Sequence, residues 1–427
     1  MWRVNIINTT NNMTAIVAVL NKHAVAIAAD SAVTMGDTHK VVNSANKIFT
    51  LSKYHPVAVM TYSNAAFMGV PWDIIIKEYR RKLAGNSFEK LKDYVDDFII
   101  FLYERHFFCD EEIQRNYLKL QLDLFVKICR DELSQQNGIA VEELTAERLK
   151  EKFISCKENL KNVDKCPEFE HYAYDEFKKQ FYALVEEYSS QNRVNISDEL
   201  CEAFFYYLSA KLELPMNTGL VFVGYGEDEI YPSLYPLNVS LAFDGRLRYY
   251  IDKDRIVEIS DHGCATSITP FAQTDVTQTI VRGINPTFRH ILYNVISKTV
   301  SNVLGIISDH LKKDDSTASI APIIQGLDTS PITKIAIQTI QQQMFNCYTE
   351  PLLQTVIGLD KEDMANMAES FISLTSLVRR MQPGEETVGG PVDVAVISKG
   401  DGFVWINRKH YFKPELNATF FQNYFRK

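Results

Sequence analysis

Two runs near the start of this chain are apolar on successive residues and not on alternate ones: Ala15-Ile16-Val17-Ala18-Val19-Leu20 and Ala24-Val25-Ala26-Ile27-Ala28-Ala29. Small and β-branched residues in short runs bounded by turn residues such as Asn21-Lys22 and Gly36-Asp37 read as strands. A strand that is apolar on both sides has to be covered on both faces. The fold must therefore bury a sheet between two other layers. A third such run spans residues 57–62.

Polar residues at the ends of these runs carry the chemistry. Thr14 opens the first run, Asp30 closes the second, and Lys47 follows in Ala45-Asn46-Lys47-Ile48. Taken singly, a threonine before a strand is a strand residue, Asp30 is a capping or turn aspartate, and Lys47 is a surface lysine. Taken together they suit a chain whose own threonine is a nucleophile. A threonine hydroxyl attacks poorly until a base accepts its proton, and a free α-amine with a pKa of about 7.7–8.0 can be that base. A cation at Lys47 would keep the amine neutral, and Asp30 would hold the cation in place.

With 427 residues the chain is long enough for two units, or for one unit with large insertions. Its 45 basic against 54 acidic residues leave a net charge of −9, which argues against a broad nucleic-acid-binding face. The seven cysteines, Cys109, Cys129, Cys156, Cys166, Cys201, Cys264 and Cys347, include no Cys-x-x-Cys pair. That scatter fits a reducing compartment and argues against a zinc site, so no metal and no cofactor are expected. Residues 1–13 lack the charged start and apolar core of a signal peptide. No run of 18 apolar residues occurs, and the apolar patch at 97–103 is too short to cross a bilayer. A cytoplasmic location without membrane attachment is the expectation.

After Pro71 the period turns helical. Helices are expected over 72–83, over 88–108 with Ser87 as its cap, and over 110–136, 141–156, 174–189 and 197–212, making 72–213 an all-helical insertion. Strand text returns at 218–226, 235–241 and 247–251. Helices follow at 275–313, 330–348 and 361–381, and a strand pair at 392–398 and 403–407 closes the chain. Loops are expected at 314–317 and 381–386. This order predicts an α+β fold, a four-layer αββα sandwich built from 14–71 and 214–427, with extra helices near 286–350. His262 beside Cys264 is read as a packed cysteine in a turn, not as a catalytic dyad.

These residues resemble the proteasome β-subunit family of N-terminal nucleophile hydrolases, most closely its bacterial, unfoldase-partnered threonine protease branch. The resemblance covers about 14–84, 218–245 and 360–408 and is absent across the helical block. Asp30 stands sixteen residues after Thr14, the family's interval for its catalytic aspartate. Lys47 is similar to the catalytic lysine. Tyr62-Ser63-Asn64-Ala65-Ala66 resembles the turn whose backbone amide forms the oxyanion hole, with Ser63 where the family has glycine. Thr387-Val388-Gly389-Gly390-Pro391 resembles the Gly-Gly loop, where Glu385 or Glu386 and Thr387 would orient the terminal amine.

The resemblance implies a threonine-type endopeptidase acting on peptides or unfolded proteins, assembled as a homo-oligomer with an ATPase unfoldase as partner. The nucleophile must be terminal, so residues 1–13 are an extension or propeptide. Translation from Met13 with methionine removal is the expected start, and self-cleavage of the Met13–Thr14 bond is the other route. Two alternatives stand beside this reading: an inactive proteasome-fold scaffold, and an amidohydrolase of the wider superfamily acting on a small amide.

Overall fold

The computed structural model of the chain describes residues 14–35, 40–105, 107–108, 110–192, 196–314, 316–382, 388–410, 412–419 and 422. The extension 1–13, the Gly36-Asp37 turn and the candidates Glu385, Glu386 and Thr387 lie outside the described residues.

The two doubly apolar runs form β1 (Ala15–Leu20) and β2 (Val25–Ala29), paired antiparallel with Val17 opposite Ala28 and every residue buried. Asn21 makes their turn: its Oδ1 accepts from His23 N at 2.8 Å, and its Nδ2 donates to Val356 O and Leu359 O. A small hairpin follows, β3 (Val33–Met35) with β4 (Lys40–Val42). Then come β5 (Ile48–Thr50), β6 (Val57–Ser63) and the short pair β7 (Ala66–Phe67) and β8 (Val70–Pro71).

The helical block holds α1 (Trp72–Leu83), α2 (Leu91–Glu104), α3 (Glu111–Asn137), α4 (Ala146–Leu160), α5 (Tyr174–Gln191) and α6 (Ser197–Ser209). Two of its starts differ from the sequence expectation. Ser87 does not cap the second helix; Lys90 does, because the Asp93 carboxylate accepts the Lys90 amide at 3.1 Å while Phe88 O is taken by Glu227 N. The fourth begins at Ala146 and not at 141, where Thr145 Oγ1 accepts Arg148 N.

Strands resume as β9 (Thr218–Gly224), β10 (Ser233–Phe243), β11 (Arg246–Ile251), β12 (Val257–Glu258) and β13 (Ser267–Ala272). The helices α7 (Asp275–Arg282), α8 (Pro286–Leu311), α9 (Ala321–Gln325), α10 (Ser330–Met344), α11 (Glu350–Ile357) and α12 (Lys361–Met381) precede β14 (Asp393–Ser398) and β15 (Gly402–Asn407). The single helix expected over 275–313 is two, because Gly283 adopts φ 70° and Asn285 caps a fresh start at Pro286. Strand β13 is absent from the sequence reading.

One sheet runs β13-β1-β2-β14-β15 and a second β11-β10-β9-β6-β5. Between them lies a core of Ile16, Ala18 and Ile27 against Met60, Val221 and Val223. The far side of the first sheet buries Val17, Ala26 and Val396 under Met364, Ala368 and Phe371 of α12. On the far side of the second, Val59, Phe222 and Leu237 pack on Trp72, Ile75 and Phe98. Uninterrupted apolar text thus gives strands covered on both faces.

Helix α8 is long and apolar enough, by length and composition, to cross a membrane. It contains no purely apolar run of that length, and its Phe288, Ile291, Val295 and Ile306 are exposed.

Gly219 in β9 leaves room for a neighbour. A Cβ there would lie 1.9 Å from Tyr62 Cζ, and the Tyr62 ring is held against Phe271 at 5.6 Å. The variant Gly219→Ala is expected to lose about 1–3 kcal/mol of stability through overpacking, read as a lower urea midpoint. An unchanged midpoint would mean that the ring is not fixed there.

Candidate active site

Three chain segments meet at the end of β2. Asp30 is buried there, 1% exposed. Its Oδ1 accepts from Ala15 N at 2.8 Å and from Lys47 Nζ at 2.7 Å, and its Oδ2 accepts from Ala32 N at 3.1 Å and Gly389 N at 3.4 Å. Every polar partner in this set is a donor, which is what an ionised carboxylate requires when water is excluded.

Lys47 is 4% exposed and reaches Asp30 from the residue just before β5, with a second bond from Nζ to Ala32 O at 2.7 Å. Burial pulls the pKa of its ammonium below the ordinary 10.5, against the upward pull of the Asp30 charge and hydrogen bond. The Lys409 charge nearby lowers it further and the Asp393 charge raises it.

Thr14, 4% exposed, sits immediately before β1. Its carbonyl accepts from Gln273 N at 3.1 Å, and the amide that follows it, Ala15 N, donates to Asp30 Oδ1. One carboxylate oxygen therefore joins the threonine's own neighbour to the lysine ammonium. Gln273 is in turn held by Arg379 of α12, which also pairs with Asp275.

The Gly389-Gly390 pair comes to the same place. Gly389 N approaches Asp30, Gly389 O accepts from Ser31 N, and the Ser31 hydroxyl donates to Pro391 O. Gly390 adopts φ 75°, and a Cβ on it would meet Asn43 Cβ at 2.9 Å.

Ser63 ends β6 with φ 68°, the left-handed conformation that a glycine adopts without cost. Its turn is pinned from below. Thr218 Oγ1 donates to Asn64 O at 2.9 Å and accepts from Trp72 Nε1 at 2.8 Å, and Asn64 N donates to Asn217 O at 3.1 Å. The preceding Tyr62 ring packs on Phe271, which lies opposite Ile16 in β13. Of the sequence candidates, Thr14, Asp30 and Lys47 are thus linked through one carboxylate, and Ser63 reaches the region through Tyr62 and β13.

Residues outside the sequence candidates complete the centre. Asp393, 2% exposed, lies opposite Ala29 in the strand register, beside Asp30, and pairs with Lys409 through both its side chain and the Lys409 amide. A charge at the end of an otherwise apolar run was the available signal, the same one that marks Asp30. Lys409, Gln273, Arg379 and Asp275 carry no such mark. Cys264 is exposed and not packed, with its thiol on Thr266 O at 3.2 Å in a surface turn, so the expected burial is corrected. Among the described residues no group of three His, Cys, Asp or Glu side chains is placed to hold a metal ion.

No known protein family matches this sequence, and no curated protein matches it. Among solved structures the chain is similar to the Anbu (Gly-1) mutant from Hyphomicrobium sp. strain MC1, at 8% identity, with 96% of this chain and 94% of that one covered and a TM-score of 0.21. A superposition at that score decides nothing about chemistry.

Replacing Asp30 by Asn removes the charge that compensates a buried ammonium. The expected cost is about 3–5 kcal/mol in denaturant unfolding, and Asp30→Asn with Lys47→Met should recover part of it. A single variant as stable as the parent would show that Lys47 finds another anion.

Proposed function

We propose that this chain is a proteasome-like, threonine-type peptidase of the N-terminal nucleophile class. Its sheets and covering helices are read as the family's four-layer sandwich. The observation that carries the function is the Asp30 carboxylate shared between Lys47 Nζ and the Ala15 amide.

In this reading the Thr14 amine is free, after either of the two routes to a terminal threonine. The amine takes the hydroxyl proton as Thr14 Oγ1 adds to the substrate carbonyl. Backbone amides at the Ser63 turn hold the oxyanion, a contribution of roughly 3–4 kcal/mol per donor in other hydrolases. The amine returns its proton to the leaving nitrogen, the peptide bond breaks, and an ester to Thr14 remains. Water, deprotonated by the same amine, then releases the acid and restores the hydroxyl. Lys47 stays cationic throughout, which favours the neutral amine, and Asp30 fixes Lys47 without changing its own protonation state.

The test joins N-terminal sequencing of protein from its native host to an assay on unfolded casein. Protein beginning at Thr14 should cleave casein and take up one threonine-directed epoxyketone by intact mass. Thr14→Ala should lose at least about 10³-fold in rate. A chain with Thr14 terminal, folded and inert to both substrate and inhibitor would leave the scaffold reading in its place.

The pH dependence has a definite sign. Lys47 is lowered below 10.5 by burial, so activity that needs its charge should fall as pH rises through a value below 10.5. The same group moves stability the other way. The native state releases this proton before the unfolded chain does, so between the two pKa values rising pH relieves the cost of a buried cation. Activity should therefore decline on the alkaline side while far-UV circular dichroism is unchanged; loss of both together would contradict the assignment.

A further inference from the structure

Beside the catalytic centre, on the far side of Lys409, lies a cavity of about 310 Å³. Its walls are β5, the helix α1 and the C-terminal stretch from Trp405 to Phe412. The volume falls at the lower end of the range that holds small ligands or the end of a peptide.

Four cations line it: Lys77, Arg80, Arg408 and Lys409. Two are already neutralised, Lys77 by Asp73 at 2.7 Å and Lys409 by Asp393. Arg80 makes no side-chain hydrogen bond or ion pair among the described residues. Arg408 lies over the Trp405 ring, 4.9 Å from its centroid, and has no anionic partner among them either. Two further polar atoms in the wall are buried without a hydrogen bond: Trp405 Nε1, a donor, and Asp73 Oδ1, an acceptor. Buried orphans of this kind are rare and costly. A ligand that complements the wall must bring negative charge for the two arginines.

The wall also offers backbone. Strand β5 is the outer strand of its sheet, so one side of it has no strand partner among the described residues. An edge strand beside a cationic pocket is how a chain end is captured: main chain pairs with the edge and the terminal carboxylate enters the pocket.

We propose that this cavity binds the C-terminal end of a peptide. The carboxylate sits between Arg80 and Arg408, and the peptide main chain runs along β5. The site is separate from Thr14 and borders the catalytic centre at Lys409, which pairs with Asp393, and at Pro391, whose carbonyl accepts from Ser31.

The test uses fluorescence anisotropy of the full chain with fluorescein-labelled tetra-alanine, once with a free carboxylate and once as the C-terminal amide. The acid should bind saturably and the amide at least about tenfold more weakly, the scale of a lost charge-assisted contact. Arg80→Ala and Arg408→Ala should each weaken the acid by a similar factor at unchanged melting temperature. Should Arg408→Ala unfold, Arg80→Gln carries the test, since the Arg80 side chain makes no hydrogen bond or ion pair among the described residues. Equal binding of acid and amide, no binding of either, or wild-type affinity in the arginine variants would overturn the proposal. So would sodium acetate displacing the probe as well as unlabelled tetra-alanine does, which would mark a site for any small carboxylate. Binding is read without turnover, so Thr14→Ala protein should retain it. Retained binding in wild-type protein that begins at Thr14 yet cleaves nothing would sink the hydrolase reading alone.

Discussion

A carboxylate and an ammonium buried side by side are the interaction around which this chain is arranged. Stripping both ions of water costs several kcal/mol each, and their mutual attraction alone seldom returns it. Asp30 and Lys47 persist because each has further partners: three backbone amides on the carboxylate and the Ala32 carbonyl on the ammonium. Those partners come from the start of β1, the turn after β2 and the segment before β14, so satisfying one ion pair fixes three distant parts of the sequence. The same requirement explains the glycine pair at 389–390, where the backbone must come close to Ser31 and Asn43. The register of the first sheet at this end is therefore set by polar satisfaction as much as by its apolar faces.

The helical block is attached to the second sheet by a different device. Arg248 of β11 is 1% exposed, yet among the described residues its guanidinium has no carboxylate partner. Instead Nε donates to Leu208 O, and Nη2 to Ala210 O and Leu212 O, at 2.6, 2.6 and 2.8 Å. These carbonyls lie at and just beyond the end of α6, where helices leave acceptors unpaired and carry partial negative charge. The arginine turns a helix terminus into an anchor, and Phe243 of β10 stacks on Phe169 at 4.8 Å. The helical block can thus be carried without disturbing the strands that flank Asp30 and Lys47.

What the sequence disclosed and what it hid follow from the same physics. Runs such as Val17 to Leu20 announce buried strands because they are short, rich in small and β-branched residues and bounded by turn residues. Strand β13 stayed hidden because Ser267-Ile268-Thr269-Pro270-Phe271-Ala272 mixes polar residues with a proline, and proline counts against a strand. It is tolerated because β13 is the outermost strand of its sheet, with Pro270 opposite Val17. Asp30 and Lys47 were legible through their spacing and their neighbours. Lys409, Arg379 and Gln273 were not, since each looks like an ordinary surface residue in its own stretch and gains its role only from long-range pairing. Ser87 misled for a local reason: serine favours a helix start, but the Asp93 carboxylate could close a tighter cap on Lys90.

Backbone strain gathers where the threonine sits. Ser63, Met216 and Ala272 all adopt positive φ, at 68°, 62° and 60°. A residue with a side chain pays roughly 1–2 kcal/mol for that conformation, and such costs survive only where the surroundings over-determine them. Here the constraints can be named. Ala272 is the partner of Ala15 and directly precedes Gln273, whose amide binds the Thr14 carbonyl. Met216 offers its carbonyl to Asn64 Nδ2 at 3.2 Å, and Asn64 is the residue after Ser63. The hydrogen bonds running from Trp72 Nε1 through Thr218 to Asn64 O then hold the Ser63 turn open. Serine at this position keeps the backbone amide that glycine would present, at a conformational cost that the indole, the threonine and the asparagine offset. A turn maintained at that expense, next to a strand pinned at the same level as Thr14, has its geometry set by what it faces and not by its own preference.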